Sequence, residues 1–148
     1  MRLLIQRVKR ASVTVEHTVV GSIAQGLLAF VGIAQSDTQV EMEWMCNKLL
    51  NLRIFADDEG KMNRSVKDVQ GGILLVSQFT LYGDAHKGFR PSFIEAAHPS
   101  HAEPLYNAML ARLRSDYTAE AGVFGAMMDV ELVNDGPVTI WIEKHNTY

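Results

Sequence analysis

Apolar residues recur along this chain in distinct rhythms, and each predicts a different element. Leu3 to Val8 and Ser12 to Glu16 are rich in aliphatic and β-branched residues. Val13 and Val15 alternate with Ser12, Thr14 and Glu16, the period of two expected for a half-buried strand. Gly21 and Gly26 punctuate, and Leu27 to Ala34 is then almost continuously apolar, as in a strand buried on both faces. The period next becomes helical. Val40, Trp44, Met45, Leu49 and Leu52 share one face, and Ser36-Asp37-Thr38-Gln39 fits a capping box before them. Asp57-Asp58-Glu59-Gly60 reads as a turn, and Gly71-Gly72 precedes a central strand, Ile73 to Phe79.

Residues 82 to 99 carry Gly83, Gly88, Pro91 and Pro99 and predict a long irregular segment, of a length that is usually functional or mobile inside a compact domain. A second helix is expected over roughly 101 to 118, from the stripe Tyr106, Leu110, Leu113 and Tyr117. Pro104 blurs its start, since proline fits only a first turn. Strands return at 126–133 and 138–143. There is no repeat, linker or low-complexity tract. This order argues one α+β domain over residues 1–148, a mainly antiparallel sheet or barrel with two main helices.

Composition narrows the class. An apolar fraction of 47% and a charged fraction of 21% are those of an ordinary globular protein. Cys46 is the only cysteine, so no intrachain disulfide forms and a reducing, cytoplasmic setting is expected. Its helical context suggests a buried, inert thiol. Met1 to Arg10 has too short an apolar run for a signal peptide, and no run approaches membrane-spanning length, so no membrane partner is expected. The net charge of −3 does not announce a nucleic-acid binder. Arg7, Lys9 and Arg10, Lys61 and Arg64, and Lys87 and Arg90 read, on charge alone, as a solvated mixed surface.

Few familiar catalytic patterns are present. The five histidines lack zinc-ligand spacing, and there is no phosphate-binding glycine loop, dinucleotide fingerprint or G-x-S-x-G elbow, so neither metal nor cofactor is expected. Two stretches stand out instead, because each sets polar residues against a strongly apolar strand. In Ser77-Gln78-Phe79-Thr80-Leu81-Tyr82-Gly83-Asp84, Ser77 and Thr80 could be nucleophiles, but a hydroxyl nucleophile needs a positioned base and none is adjacent. Gln78 does not titrate. What a strand turning sharply here can supply is backbone N–H groups aimed at a developing oxyanion, which suits an already reactive bond such as an ester. In Asn134-Asp135-Gly136-Pro137-Val138-Thr139, Asp135-Gly136 favours a hairpin loop, yet Pro137 has no N–H to close it. An irregular, exposed turn is predicted, and a cis peptide is one way to build it.

With both stretches in hand, the chain resembles the D-aminoacyl-tRNA deacylases nearly end to end. The resemblance runs through Gln6-Arg7-Val8, Ala11-Ser12-Val13, Arg53-Ile54-Phe55, Gly60-Lys61-Met62-Asn63, Ser77-Gln78-Phe79-Thr80-Leu81, Arg90-Pro91-Ser92-Phe93 and Asn134-Asp135-Gly136-Pro137-Val138-Thr139. It implies a homodimer that hydrolyses the ester between a D-amino acid and the terminal adenosine of tRNA, meeting the substrate at its acceptor end. It also implies clearance of mischarged glycyl-tRNA, since glycine has no side chain to exclude. By the same resemblance Ser77, Gln78, Phe79 and Thr80 form the catalytic corner, working through backbone donors and the substrate's own 2′-hydroxyl. Phe124 and Met128 line the substrate pocket. The resemblance further implies that Gly136-Pro137 is a cis peptide projecting into the partner subunit's pocket to reject L-side chains, with Arg7 expected to hold it. Two other classes stand beside this one: a serine or threonine hydrolase of small esters, and a non-catalytic RNA- or protein-binding module using the strand edge and the Lys87–Arg90 loop.

Overall fold

One long strand, β1 (Arg2–Val15), organises the sheet in a computed structural model that describes residues 1–146. Along one edge, the first half of β1 pairs antiparallel with β3 (Gly26–Gly32) and its second half with β2 (Thr18–Ile23). Along the other edge it pairs antiparallel with β8 (Asp129–Glu143) over nearly its whole length. The two segments expected at 3–8 and 12–16 are therefore one strand. The exposed Lys9 and Arg10 between them stay extended through a local register shift. The β1–β2 turn is Glu16-His17, both at positive φ (48° and 67°), in a two-residue hairpin loop.

After β3 the chain crosses over through α1 (Gln39–Asn51) and a small hairpin of β4 (Phe55–Ala56) and β5 (Met62–Arg64). It returns as β6 (Gly72–Ser77), parallel to β3 from Gly26↔Gly72 to Val31↔Ser77. Parallel pairing requires such a long connection. The short β7 (Glu120–Ala121) follows α2 (Pro99–Asp116) and adds, also parallel, to β6. The sheet is thus mainly antiparallel, with a parallel trio in the order β3-β6-β7. A Cβ on Gly21 of β2 would lie 2.6 Å from the Ala121 carbonyl oxygen of β7, so the two ends of the sheet nearly meet and the barrel is almost closed.

Both faces of β3 and β6 are covered. Leu27, Ala29, Val31, Ile73 and Leu75 pack on Met42, Met45 and Leu49 of α1 and on Tyr106, Met109 and Leu113 of α2. Leu28, Leu74 and Val76 face a second cluster with Val8, Ala11 and Val13. Burying each of these leucines contributes about 1.5–3 kcal/mol, which fixes the register that sets Ser77 at the end of β6.

The helix ends differ from the expected ones for local reasons. The cap of α1 is Thr38, whose hydroxyl accepts from the Val40 N–H (3.2 Å), while Glu41 accepts from the Thr38 N–H (2.8 Å). Ser36 is not the cap. Asp37, buried beside it, accepts instead from the Met1 amino group and the Ala34 N–H, both at 2.7 Å. Helix α2 starts at Pro99, which places Pro104 in the second turn at an exposed position rather than in the first. The two strands expected at 126–133 and 138–143 are a single strand, β8, interrupted by a bulge. Gln6 faces Thr139 and Val8 faces Asn134, so Arg7 alone stands opposite Asp135 to Val138.

Candidate active site

A cavity of about 700 Å³ opens where the parallel strands β3 and β6 end. Val31 and Val76, the last apolar residues of the two strands, form part of its floor. The chain leaves β6 at Ser77, and the Gln78 N–H still bonds the Val31 carbonyl (2.8 Å). It then turns into a single 3₁₀ turn, Phe79–Tyr82. The first bond of that turn runs from the Leu81 N–H to the Gln78 carbonyl (3.2 Å). The amides of Phe79 and Thr80 precede it, so like the first donors of any helix they have no acceptor within the turn.

Ser77, Gln78, Phe79 and Thr80 all line the cavity, joined from the opposite wall by Phe124 and Met128 of the segment between β7 and β8. The six residues expected at the catalytic corner and in the pocket are thus brought together. Phe124 rests against the Tyr106 ring of α2 (5.8 Å between centroids), and Met128 packs on the second cluster. At the mouth, Phe79 and Phe93 meet edge to face at 5.2 Å, and Met127 is almost fully exposed.

Among the described residues no titratable side chain lines this cavity. The Gln78 side-chain amide donates to the Thr80 hydroxyl, which leaves that oxygen with a hydrogen-bond donor against it and no base. Nor do any three His, Cys, Asp or Glu side chains among the described residues stand where they could hold a metal ion. The chemistry available is an apolar chamber with, at one corner, two backbone donors that have no acceptor among the described residues.

Two residues that the sequence did not single out hold this corner. Arg2 donates from Nη1 to the Leu81 carbonyl (2.8 Å), stacks over the Tyr82 ring at 4.3 Å and pairs with Glu143 at 2.7 Å. Tyr106 donates its hydroxyl to the Leu75 carbonyl (2.9 Å), two residues before Ser77. Burial pushes the Tyr106 phenol up to about 12, so it remains a donor throughout the working pH range. Neither has a local pattern that would have revealed it. Arg2 reads as the exposed start of a strand, and Tyr106 as one member of an apolar stripe.

Gly136, Pro137 and Arg7 form a separate constellation and are not among the residues lining the cavity. The Gly136-Pro137 peptide is cis, Gly136 has φ of +119°, and both residues are exposed on the bulge of β8. Arg7 Nε donates to the Asp135 carbonyl and faces its carboxylate, each at 3.3 Å, and Nη1 donates to the Ile54 carbonyl at 2.7 Å. Asn134 closes the base of the bulge. Its side-chain amide donates to the carbonyls of Arg7 and Val138 (3.0 Å each), and its oxygen accepts from the Thr139 hydroxyl (3.1 Å). The roles of Asn134 and Thr139 could not be assigned from their position in a motif alone.

A family model described as D-Tyr-tRNA(Tyr) deacylase matches residues 4–143. A D-aminoacyl-tRNA deacylase of Exiguobacterium sibiricum is 58% identical over 145 residues, spanning 97% of this chain and 100% of that protein. A protein of the same name from Thermomicrobium roseum is 57% identical over 145 residues, spanning 97% and 94%. Among solved structures, one named c-Myc DNA unwinding element binding protein matches with a TM-score of 0.93 at 45% identity, covering 99% of this chain and 100% of that one.

Proposed function

Because this chain belongs to the D-Tyr-tRNA(Tyr) deacylase family and is an aminoacyl-tRNA ester hydrolase, we propose that it proofreads chirality in translation. It clears D-amino acids, and glycine mischarged to tRNA, while sparing L-aminoacyl-tRNA. The observation that carries this reading is the cavity itself: apolar, without a titratable side chain among the described residues, and supplied at one corner with the unpaired amides of Phe79 and Thr80. Such a site cannot activate an inert bond, but an aminoacyl ester is already reactive. Water adds to the ester carbonyl carbon as its proton passes to the neighbouring 2′-hydroxyl, which releases its own towards the 3′ oxygen, and the carbonyl oxygen becomes an oxyanion held by the two amides. The intermediate then expels the ribose 3′ oxygen, whose proton comes by way of the neighbouring 2′-hydroxyl. Ser77, Gln78 and Thr80 orient the substrate, and Phe124 and Met128 contact it.

Selectivity is assigned to the Gly136-Pro137 bulge. A backbone wedge beside the α-carbon excludes an L-side chain by collision, and Arg7 and Asn134 hold that wedge in place. Since the bulge does not line the cavity of its own chain, the wedge is assigned to a partner in a two-fold homodimer. Two features support such an assembly: the apolar mouth of Phe79, Phe93 and Met127, and the outer edge of β8, which pairs with no strand among the described residues. No helix among the described residues is long and apolar enough to cross a membrane. The reaction belongs where translation occurs, in the cytoplasm.

The test is hydrolysis of matched D- and L-aminoacyl-tRNA by the purified protein, with glycyl-tRNA as a third substrate. Cleavage of the D and glycyl esters with the L ester intact is expected, and equal cleavage of both enantiomers would remove the proofreading role. The name of the structural neighbour favours a second reading, nucleic-acid binding without catalysis. Protein that binds aminoacyl-tRNA and leaves every ester intact would establish that one.

A further inference from the structure

The segment after the catalytic corner forms a narrow arch. Reciprocal backbone bonds join Asp84 and Ser92 (2.8 Å each way), and the Asp84 carboxylate turns inward to the His86 N–H (2.9 Å) and imidazole (2.5 Å). The tip is Lys87-Gly88-Phe89-Arg90, with Gly88 at a φ of +78° in open space. Phe89 is fully exposed. Lys87 and Arg90 flank it, exposed, and make no ion pair or hydrogen bond among the described residues. At its foot the arch is fixed to the active site, where Phe93 packs on Phe79.

A solvated phenylalanine between two unpaired cations has no role in the core of the fold. It does match the chemistry of unpaired RNA, whose bases offer flat faces to an aromatic ring and whose phosphates draw Lys and Arg. A folded double helix would not expose those faces. The four residues from Phe93 to Phe89 span at most about 14 Å, so the tip serves nucleotides close to the reacting ester and no remote part of the RNA. The chain is acidic overall, which makes a local contact of this kind the more necessary.

We propose that the 84–92 arch grips the unpaired 3′ nucleotides of the acceptor end, with Phe89 stacked on a base and Lys87 and Arg90 on adjacent phosphates. The proposal rests on the deacylase reading for its choice of RNA, and it is tested by binding, which does not depend on turnover. The probes are two uncharged acceptor-stem hairpins, one with an unpaired 3′ overhang and one blunt, titrated against the full chain and its variants. The wild type is expected to bind the overhang hairpin about tenfold more tightly, Phe89→Ala to bind the two equally, and Phe89→Trp to restore the preference. Lys87→Ala with Arg90→Ala should lower the salt dependence of log K by about 1.4, the share of two single-strand phosphate contacts. Three results would overturn the proposal. One is a wild type that does not distinguish the hairpins. Another is Phe89→Leu restoring the preference as well as Trp does, which would mark an apolar protein contact. The third is Phe89→Ala weakening both hairpins equally. A deacylase assay of the wild type run alongside separates the two ideas, since a wild type that cleaves the D-ester yet does not distinguish the hairpins removes only the arch.

Discussion

The Tyr106 hydroxyl donates to the Leu75 carbonyl across the interior, 2.9 Å away, and so ties α2 to the backbone of β6 just before the Ser77–Thr80 corner. The same carbonyl also accepts from the Gly122 N–H at 3.1 Å. Removing the hydroxyl therefore leaves no orphaned carbonyl, and Tyr106→Phe should cost only about 1 kcal/mol of stability in urea denaturation. Tyr106→Ala should cost about 3–5 kcal/mol, because it also opens a cavity behind Phe124. Equal losses for the two variants would mean that the hydrogen bond, and not the ring, dominates.

Backbone catalysis predicts an unusual mutational profile at the corner. Thr80→Ala should retain D-ester hydrolysis to within about tenfold, whereas loss of a nucleophile would cost a thousandfold or more, about 4 kcal/mol of transition-state stabilisation. The amide itself can be removed at Phe79. It opens the 3₁₀ turn, where proline is tolerated, and Gln78 before it lies outside the helical region, at φ −145° and ψ 82°. Phe79→Ala removes the ring, with its contact to Phe93 and its share of the cavity wall, but keeps the amide, so kcat/KM for Phe79→Pro should fall a further hundredfold or more below Phe79→Ala. Indistinguishable rates for the two variants would reject the Phe79 amide as an oxyanion donor.

Much of this site was legible because its scaffold obeys simple patterning. The almost continuously apolar run Leu27 to Ala34 announced a strand covered on both faces, and β3, which ends at Gly32, is one. The switch from Val76 to Ser77-Gln78 marked where the cavity begins, but the strand expected to reach Phe79 stops at Ser77, because Phe79 already opens the 3₁₀ turn. Other features lacked a local signal. Glu16-His17 makes the β1–β2 turn without glycine, asparagine or aspartate, since pairing on both sides holds the two residues in the left-handed region. Proline removes a ladder donor, yet β8, an edge strand among the described residues, runs through Pro137 because the bulge moves that residue out of the ladder with β1. The cap of α1 shifted to Thr38 because Asp37 binds Met1 and Ala34. In each case a partner distant in sequence or a non-local ladder decided the outcome.

Cys46 gives a prediction on the alkaline side. Its thiol is wholly buried, 3.7 Å from the Met42 sulfur, and burial pushes it up from 9.0 to about 12, with Glu43 adding to the rise and Arg112 opposing it. The unfolded chain therefore gives up this proton first as pH rises. Stability present below pH 9 should be lost across the window from 9 to 12, at up to about 1.4 kcal/mol per pH unit for this group. Tyr106, raised from 10.0 to about 12, steepens the upper part of the same window. Urea midpoints against pH should fall less steeply for Cys46→Ala, and a thiol reagent at pH 8 should label the wild type only after unfolding. Fast labelling of the native protein would contradict this account.

Asn134 tests the link between the bulge and selectivity. Its amide donates to the carbonyls of Arg7 and Val138, and a carboxylate can donate to neither. Asn134→Asp should cost about 1–3 kcal/mol in stability and raise kcat/KM for L-aminoacyl-tRNA more than it lowers that for the D-ester. Arg7→Lys keeps the charge but loses the planar fork that reaches Asp135 and Ile54 together, and it should shift selectivity the same way. Unchanged rejection of the L-ester by both variants, measured on folded protein, would detach the bulge from chirality.

The continuity of β8 has a mechanical consequence. A hairpin tip is a cantilever: fixed at one end, it deflects with every fluctuation of its two strands. Asp135 to Val138 form instead a short beam clamped at both supports, since Asn134 and Thr139 are each in register with β1 on either side of Arg7. Stiffness at mid-span then comes from the sheet beneath and needs no packing above it, so the exposed Gly136 and Pro137 can protrude into solvent without yielding. If the bulge is the surface that tells two mirror-image substrates apart, as proposed, it must not give way, and bending a strand between two anchors rather than ending it supplies that stiffness.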